Sequence, residues 1–292
     1  MPITSEQLAV DFFPRVGFAS PEGRASAWKQ LHVATGALAV LGRDWGEPRD
    51  DGSHAALVWN QQDAGWLAQG RGGLGEVIGW LDLGGASLWI ERREPQEGAW
   101  IELEGRTPAE VAAWVGSAAE RLTGKPGGRV CLESTNDQRP FAVFDTDSCA
   151  DLEALYEGAG LLLTTLLGVL GSDEGDEAPR VWPGRFIAEC RIVLSCDEQG
   201  HALRTIRVGL SPPDDIEPAG YWHVELDEGT EQSTDLCADL PHGRWQKRAG
   251  SSAIAVLSLT ELIHLEDGGD QQARVAGFIA AGFNACELMS DS

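Results

Sequence analysis

The stretch SLWIERREPQEGAWIELEGRTPAEVAAWVGSAAERL, residues 87–122, decides the fold class of this 292-residue chain. It contains two strand-like runs separated by EPQEG, which predicts a hairpin turn. A helix is predicted next, because Thr107 suits its N-cap, Pro108 its first position and Glu110 its third, as in a capping box. The apolar face of this helix consists of Val111, Trp114, Val115, Ala118 and Leu122. Strands followed by an amphipathic helix indicate an α+β fold.

The second half of the chain ends in the same order of elements. Strand-like runs over residues 186–194, 203–210, 221–225 and 253–257 precede a helix that begins at about residue 270. The apolar positions of this helix lie 164 residues after those of the first one (275 − 111 = 164). We therefore expect two lobes of mostly antiparallel sheet, each followed by an amphipathic helix. The shared spacing fits a duplication, and it fits equally the 3.6-residue period of two unrelated surface helices.

An acidic stretch, SDEGDEAP at residues 172–179, separates the two halves. It carries four acidic residues with glycine and proline, and it has no apolar periodicity. This composition predicts a linker. We expect an N-terminal lobe over residues 1–171, the acidic linker over residues 172–179 and a C-terminal lobe over residues 180–292.

The charge balance narrows the classes of partner. Acidic residues number 46 against 22 basic ones, which gives a formal net charge of -24. Such a surface repels phosphate backbones and anionic lipid headgroups, so we expect no nucleic-acid and no membrane partner. A solvated acidic surface that keeps the protein in solution accounts for the same charge.

The N-terminal sequence MPITSEQLAVDFF lacks the basic and long apolar regions of a secretory signal, so a cytoplasmic protein is expected. The longest apolar run, residues 159–170, is too short to span a bilayer and predicts a buried helix. Six cysteines show neither a CxxC pair nor the dense spacing of a disulfide scaffold, so reduced core thiols are expected.

No cofactor or metal motif is complete. The six histidines include no HExxH and no pair at i, i+4, so the sequence assigns no metal, and it assigns no cofactor or oligomeric state either. Gly70, Gly72 and Gly75 spell GxGxxG, but the strand and helix that must flank a dinucleotide site are missing. We expect a flexible loop at these glycines.

Eleven tryptophans are many for this length. Trp89, Trp100 and Trp114 lie at predicted core positions of strands and a helix, so we expect them to fill volume. Aromatic walls with a fixed N–H donor also suit flat organic ligands. Trp28, Trp182 and Trp222 are therefore the pocket candidates.

An acidic loop lies within IRVGLSPPDDIEPAGYWHVE, residues 206–225, between two strand-like runs. Asp214, Asp215 and Glu217 follow Ser211 on this loop, and His223 lies on the next strand. Loop carboxylates of this kind mostly face water. The alternative is that they orient His223 as a base or hold a divalent ion with it. Ser211 lacks the strand-turn-helix elbow of a hydrolase nucleophile.

Several short blocks in the same order resemble the bacterial family of domains of unknown function that is numbered 5996. The blocks are LHVATGALAVL, the segment 87–122, RPFAVFDTD, VWPGRFIAEC, VGLSPPDDIEPAGYWHVE and the end of the chain over residues 243–286. They span nearly the whole chain, and their order carries the resemblance. The family has no assigned reaction, so the resemblance implies fold and placement only.

The resemblance also marks individual residues. The positions that it carries over are His32, Arg139, Phe141, Asp145, Trp182, Pro183, Tyr221 and the acidic loop. Members of the family often have histidines just after the Trp-Pro pair and an aspartate shortly beyond. Gly184, Arg185 and, more loosely, Glu189 stand at those positions here. This departure weakens a catalytic role.

We expect a protein that binds a small organic ligand. The predicted site is a cleft between the two lobes, lined by Trp28, His32, Trp182, Arg185, Asp214, Tyr221 and His223. Arg185 is expected to hold an anionic group while aromatic rings stack on the ligand. One alternative is a metal-assisted or acid-base enzyme that uses Asp214, Asp215 and Glu217 with His223. The other is an acidic interaction module for a basic partner.

Overall fold

The computed structural model describes residues 2–63, 65–127, 139–171, 178–200, 202–227, 239–247 and 253–290. The chain forms two compact units, each assembled from separate segments. Unit 1 comprises Met1–Gly17, Ala154–Pro179 and Ala188–Ser292, and unit 2 comprises Phe18–Glu153 and Arg180–Ile187. Most of the acidic stretch that we predicted as a linker, residues 172–177, lies outside the described residues.

Unit 2 is an antiparallel sheet with helices. Its elements are α1 (Pro21–Trp45), a 3-10 turn (Ser53–Ala55), β1 (Leu57–Asn60), β2 (Gly65–Gly72), β3 (Gly75–Asp82), β4 (Ser87–Arg92), β5 (Glu97–Glu102), α2 (Pro108–Thr123), the start of α3 (Thr146–Leu170), and β6 (Arg180–Trp182). The strands lie in the order β6-β1-β2-β3-β4-β5. Gly79 lets α1 approach the sheet closely, because a Cβ there would lie 2.7 Å from Leu38 Cδ1. One sheet face of unit 2 therefore packs against helices.

Unit 1 is also an antiparallel sheet with helices, but its elements follow in a different order. The rest of α3 is followed by β7 (Ile187–Cys196), β8 (Ala202–Ser211), β9 (Tyr221–Asp227), β10 (Arg244–Lys247), β11 (Ala253–Ser258), α4 (Leu259–Leu262) and α5 (Gly268–Ser290). The strands are antiparallel in the order β10-β11-β9-β8-β7. Helix α5 packs on their apolar face, where Gly282 lies directly against Val224. The fold is α+β, as predicted.

The N-terminal segment belongs to unit 1 and is bound to its last helix. The backbone N–H of Ile3 donates to Oδ1 of Asn284 at 2.9 Å, and Nδ2 of Asn284 donates back to the carbonyl of Ile3 at 2.8 Å. The buried Gln271 amide makes a similar pair with the backbone of Val16, at 3.0 and 2.9 Å. The two ends of the chain are thus joined by hydrogen bonds.

Three predictions about local structure are confirmed. Thr107 and Glu110 form the capping box of α2, with Thr107 N 2.8 Å from Glu110 Oε2 and Glu110 N 3.2 Å from Thr107 Oγ1. The last helix, α5, begins at Gly268. The apolar run of residues 159–170 lies in α3 and is mostly buried, as predicted, although the 25-residue helix as a whole is long and apolar enough to cross a membrane and the expectation that it is too short does not hold for it.

Two local predictions are wrong. Gly70, Gly72 and Gly75 belong to the β2–β3 hairpin, in which Gly72 pairs with Gly75, and they do not form a flexible loop. Gly70 is needed there because a Cβ would meet Trp45 Cβ at 2.9 Å. Trp100 does not fill the core, since 52% of its side chain is exposed at the edge strand β5. Propensity alone does not tell an edge strand from a central one.

Candidate functional site

A tight turn in unit 2 carries two of the predicted site residues. The backbone N–H groups of Arg185 and Phe186 both donate to the carbonyl of Trp182, at 3.1 and 2.6 Å. Phe186 has a φ of 55°, a left-handed conformation that is unfavourable for a residue with a side chain. Its ring is buried, with 2% exposed, and this packing holds the turn in place.

His32 of α1 is attached to the same turn. Its Nε2 lies 2.8 Å from the carbonyl oxygen of Pro183, and since a carbonyl only accepts, Nε2 carries the proton. Its ring stacks on Phe186 with 5.8 Å between the centroids and 8° between the planes. Burial lowers the pKa of His32, against the opposing effect of the backbone carbonyls. The ring is therefore neutral at pH 7, and its Nδ1 is an acceptor.

The other predicted residues of unit 2 differ in exposure. Trp182 is half-buried and Arg185 is exposed. No carboxylate among the described residues forms an ion pair with Arg185. Trp28 has only 1% of its side chain exposed, one helical turn before His32, and it packs in the core. Within unit 2 this turn therefore carries Arg185, which has no ion-pair partner among the described residues, and lies beside the half-buried rings of Trp182 and His32.

In unit 1, His223 lies between a serine and a glutamate. Its Nδ1 is 3.1 Å from Oγ of Ser211, and its Nε2 is 3.9 Å from Oε2 of Glu189. The first distance is a hydrogen bond, and the second is an ion-pair distance. All three side chains are buried, with 3%, 2% and 6% exposed respectively.

Strand register explains why these three side chains meet. Glu189 of β7 pairs with Gly209 of β8, and Gly209 pairs with His223 of β9, so the three form one row across the sheet. Ser211 lies two residues beyond Gly209 and hence on the same face. Gly209 leaves the middle of the row without a side chain, which allows His223 and Glu189 to approach each other. Burial raises the pKa of Glu189, but the interaction with His223 and the charges of Arg191 and Arg207 together outweigh it, so the pKa is lowered.

The acidic loop of unit 1 is held by its own hydrogen bonds. Asp214 Oδ1 accepts from the N–H groups of Ile216 and Glu217 at 2.8 and 3.2 Å, and its Oδ2 accepts from the Tyr221 hydroxyl at 2.9 Å. Glu217 forms an ion pair with Arg244 at 3.0 Å. Asp214 therefore shapes the loop as an Asx turn and anchors Tyr221. The hydrogen-bond and ion-pair partners of His223 are Ser211 and Glu189, and not these carboxylates.

The predicted site residues thus form two groups, each inside its own unit. His32, Trp182 and Arg185 lie around one turn of unit 2, and Asp214, Tyr221 and His223 lie on β9 and the loop before it in unit 1.

Two further residues matter for these groups and were not predicted as site residues. One is Phe186, whose side chain the sequence did not mark at all. The other is Glu189, which stands with Arg191 at alternating positions of the otherwise apolar strand β7. The resemblance had placed Glu189 loosely at the position of the family's aspartate, and this alternation of charged residues is a second signal for it.

No group of three or more metal-ligating side chains occurs among the residues that the structure describes. Comparison with known proteins adds no relative: no protein-family model, no curated protein and no solved structure matches this chain. The resemblance to the family numbered 5996 therefore stays a prediction.

Proposed function

We propose that this protein binds a small organic anion in the cytoplasm, and that Arg185, His32 and Trp182 make the contacts. The observation that carries the proposal is an exposed arginine without a described carboxylate partner, on a turn whose backbone is fixed by two hydrogen bonds. An arginine fork binds carboxylate or phosphate through two parallel hydrogen bonds. A fixed turn lowers the entropic cost of presenting it.

The rings of His32 and Trp182, which lie beside Arg185, are expected to contact the uncharged part of the ligand. His32 is neutral, so Arg185 supplies the positive charge, and Nδ1 of His32 can accept a hydrogen bond from a ligand hydroxyl or amide. Trp182 is half-buried and offers an apolar surface for a ring of the ligand. This set favours a planar carboxylate over a purely aliphatic one.

Thermal denaturation with a panel of aromatic and aliphatic carboxylates and phosphates tests the proposal. A ligand at 100 times its Kd should raise the unfolding free energy by about 2.7 kcal/mol. Arg185→Gln should abolish the gain, while Arg106→Gln, a matched loss of an exposed arginine in the same unit, should keep it. The proposal is wrong if no anion stabilises the protein, or if the two variants respond alike.

The predicted ligand contacts of Asp214, Tyr221 and His223 are tested by measuring the Kd of the same ligand in a second set of variants. Asp214→Asn keeps the size of a side chain that accepts three hydrogen bonds in the loop, and His223→Gln keeps a polar group beside Ser211. If these residues contact the ligand, each change should weaken binding by about tenfold, the effect of losing one bond to a charged or buried group. An unchanged Kd in both variants would mean that these residues take no part in binding.

A second function, acid-base catalysis, is favoured by the row Glu189, His223 and Ser211. An imidazole between a carboxylate and a hydroxyl is the arrangement in which His223 takes a proton from Ser211 and Glu189 stabilises the resulting charge. Labelling with a fluorophosphonate probe tests it. Modification of Ser211 that disappears in His223→Gln, but persists in Ser195→Ala, would support this function; failure to label Ser211 in the intact protein would count against it.

A further inference from the structure

A cleft of about 330 Å³ opens in unit 2, apart from the Trp182–Phe186 turn. We call it the acidic cleft. It is lined by the β3–β4 turn (residues 84–86), the carboxylates Glu102 and Glu104, Phe144, and Thr146 and Cys149 of the first turn of α3. Ligand pockets begin at about 300 Å³, so this volume admits a small metabolite.

The lining of the acidic cleft carries negative charge. Glu102 and Glu104 are exposed, and neither has a hydrogen-bond or ion-pair partner among the described residues. The lining contains no lysine, arginine or histidine within the described part of the chain. Two carboxylates facing one cleft repel each other and attract a cation.

Cys149 also lines the acidic cleft and is buried, with 1% of the residue exposed. Its thiol has no hydrogen-bond partner among the described residues. Burial, and then the charges of Asp145, Asp82 and Glu153, raise the pKa of this thiol to about 11. The thiol is therefore neutral at pH 7 and adds no charge to the lining of the cleft.

Aromatic rings flank these carboxylates. Phe144 lines the cleft and stacks on Phe141, with 6.4 Å between the ring centroids. Trp100 lies two residues before Glu102 on β5 and hence on the same face of the sheet; it stacks on Trp89 at 5.7 Å and is half exposed. Aromatic faces beside carboxylates are the surroundings that bind ammonium and guanidinium groups.

We propose that the acidic cleft binds a small organic cation with a primary ammonium or guanidinium group. Glu102 and Glu104 accept its hydrogen bonds, and Phe144 packs on its methylene or cationic part. A compact metal ion fits the cleft less well, because the described residues include no group of three metal-ligating side chains. The site and the sign of the ligand charge differ from those of the proposed anion site, so the two proposals can fail separately.

Titration calorimetry with 1,4-diaminobutane as the probe tests the proposal, with 1,4-butanediol as its uncharged counterpart. The intact protein should bind the diamine saturably and with one site, more weakly at higher salt, and should not bind the diol. The double change Glu102→Gln and Glu104→Gln should weaken binding by about tenfold or more, as expected for lost bonds to charged groups. Phe144→Leu should weaken it by a smaller factor.

The control removes the same number of charges elsewhere in unit 2. Glu47→Gln with Glu76→Gln alters two exposed carboxylates outside the cleft and should leave the Kd unchanged. An equal loss in both double variants would show nonspecific attraction to an acidic surface and overturn the proposal. So would the absence of saturable binding, or displacement of the diamine by stoichiometric Ca²⁺ binding at Glu102 and Glu104.

Discussion

Arg24 and Asp151 form a buried ion pair in which Nε and Nη2 of the arginine both donate to Oδ2 of the aspartate, at 3.1 and 2.9 Å. The side chains are 3% and 0% exposed. The aspartate also accepts from the backbone N–H groups of Phe18 and Ala19, at 3.0 and 3.1 Å. This pair connects the beginning of α1 to α3 and to the segment before α1.

The loss of this ion pair should destabilise the protein strongly. In Asp151→Asn the guanidinium of Arg24 stays buried without its counter-charge, so the unfolding free energy should fall by about 3–5 kcal/mol. Urea denaturation followed by circular dichroism measures the fall. Asp147→Asn, which removes an exposed carboxylate from the same helix, should change the free energy little. A loss below about 1 kcal/mol for Asp151→Asn would contradict the structural role assigned to this pair.

His32 should make the stability of the protein depend on pH near neutrality. Its pKa in the folded protein lies below the ordinary value of 6.5, so the native state binds fewer protons than the unfolded state. The contribution of His32 is therefore complete above pH 6.5 and is lost as the pH falls from there towards the folded pKa. Denaturation midpoints between pH 5 and 8 should rise with pH less steeply in His32→Gln than in the unchanged protein. Equal slopes would mean that His32 titrates normally.

Cys149 should react slowly with alkylating reagents. With a pKa of about 11, only about one thiol in a thousand is ionised at pH 8, and the side chain is buried as well. Cys196 is exposed and serves as the internal comparison. Peptide mapping after a short treatment with iodoacetamide should find Cys196 modified and Cys149 intact. Comparable modification of both in the folded protein would contradict the raised pKa.

The capping box of α2 should contribute measurably to stability. Thr107→Ala removes the acceptor of the Glu110 N–H and the hydroxyl that donates to the Glu110 carboxylate at 3.0 Å. The expected loss is about 1 kcal/mol of unfolding free energy. Thr107→Ser restores the hydroxyl and should recover most of that loss. If alanine and serine are equally stable, the hydrogen bonds of the cap contribute nothing.

Local signals in the sequence predicted the secondary structure well where they depend on neighbouring residues. The capping box at Thr107 and the period of α5 are such signals, since each is decided within a few positions of the chain. The prediction for Trp100 was wrong because its exposure depends on β5 being an edge strand. The position of β5 in the sheet is set by the order of all the strands and not by its own sequence. The β2–β3 hairpin was missed because glycines that fit against Trp45 and Leu41 of α1 look like those of a loop.

The candidate sites were predictable only in part, because their residues are brought together by the tertiary fold and not by neighbouring positions in the sequence. Arg185 and His32 were predicted from their positions in the blocks that resemble the family, and the structure places both at one turn. The partner of His223 was missed, because Glu189 reaches it through strand register across Gly209 and not through the nearby acidic loop. The acidic cleft combines residues from β5, the β3–β4 turn and α3 that are far apart in the chain. No short motif encodes such a combination.

The hydrogen bonds between Ile3 and Asn284 also bear on the order in which the protein can fold during its synthesis. They join residues 281 positions apart, so unit 1 cannot be completed until Asn284 has been synthesised. All segments of unit 2 are made by Ile187, about 100 residues earlier, which corresponds to roughly 5–20 s of bacterial or eukaryotic translation. During that interval residues 1–17 lack α5, the helix to which they are hydrogen-bonded in the folded protein. A truncated or stalled product should therefore expose Ile3, Leu8 and Val16, which are buried in the folded protein, to chaperones and proteases while unit 2 is already formed.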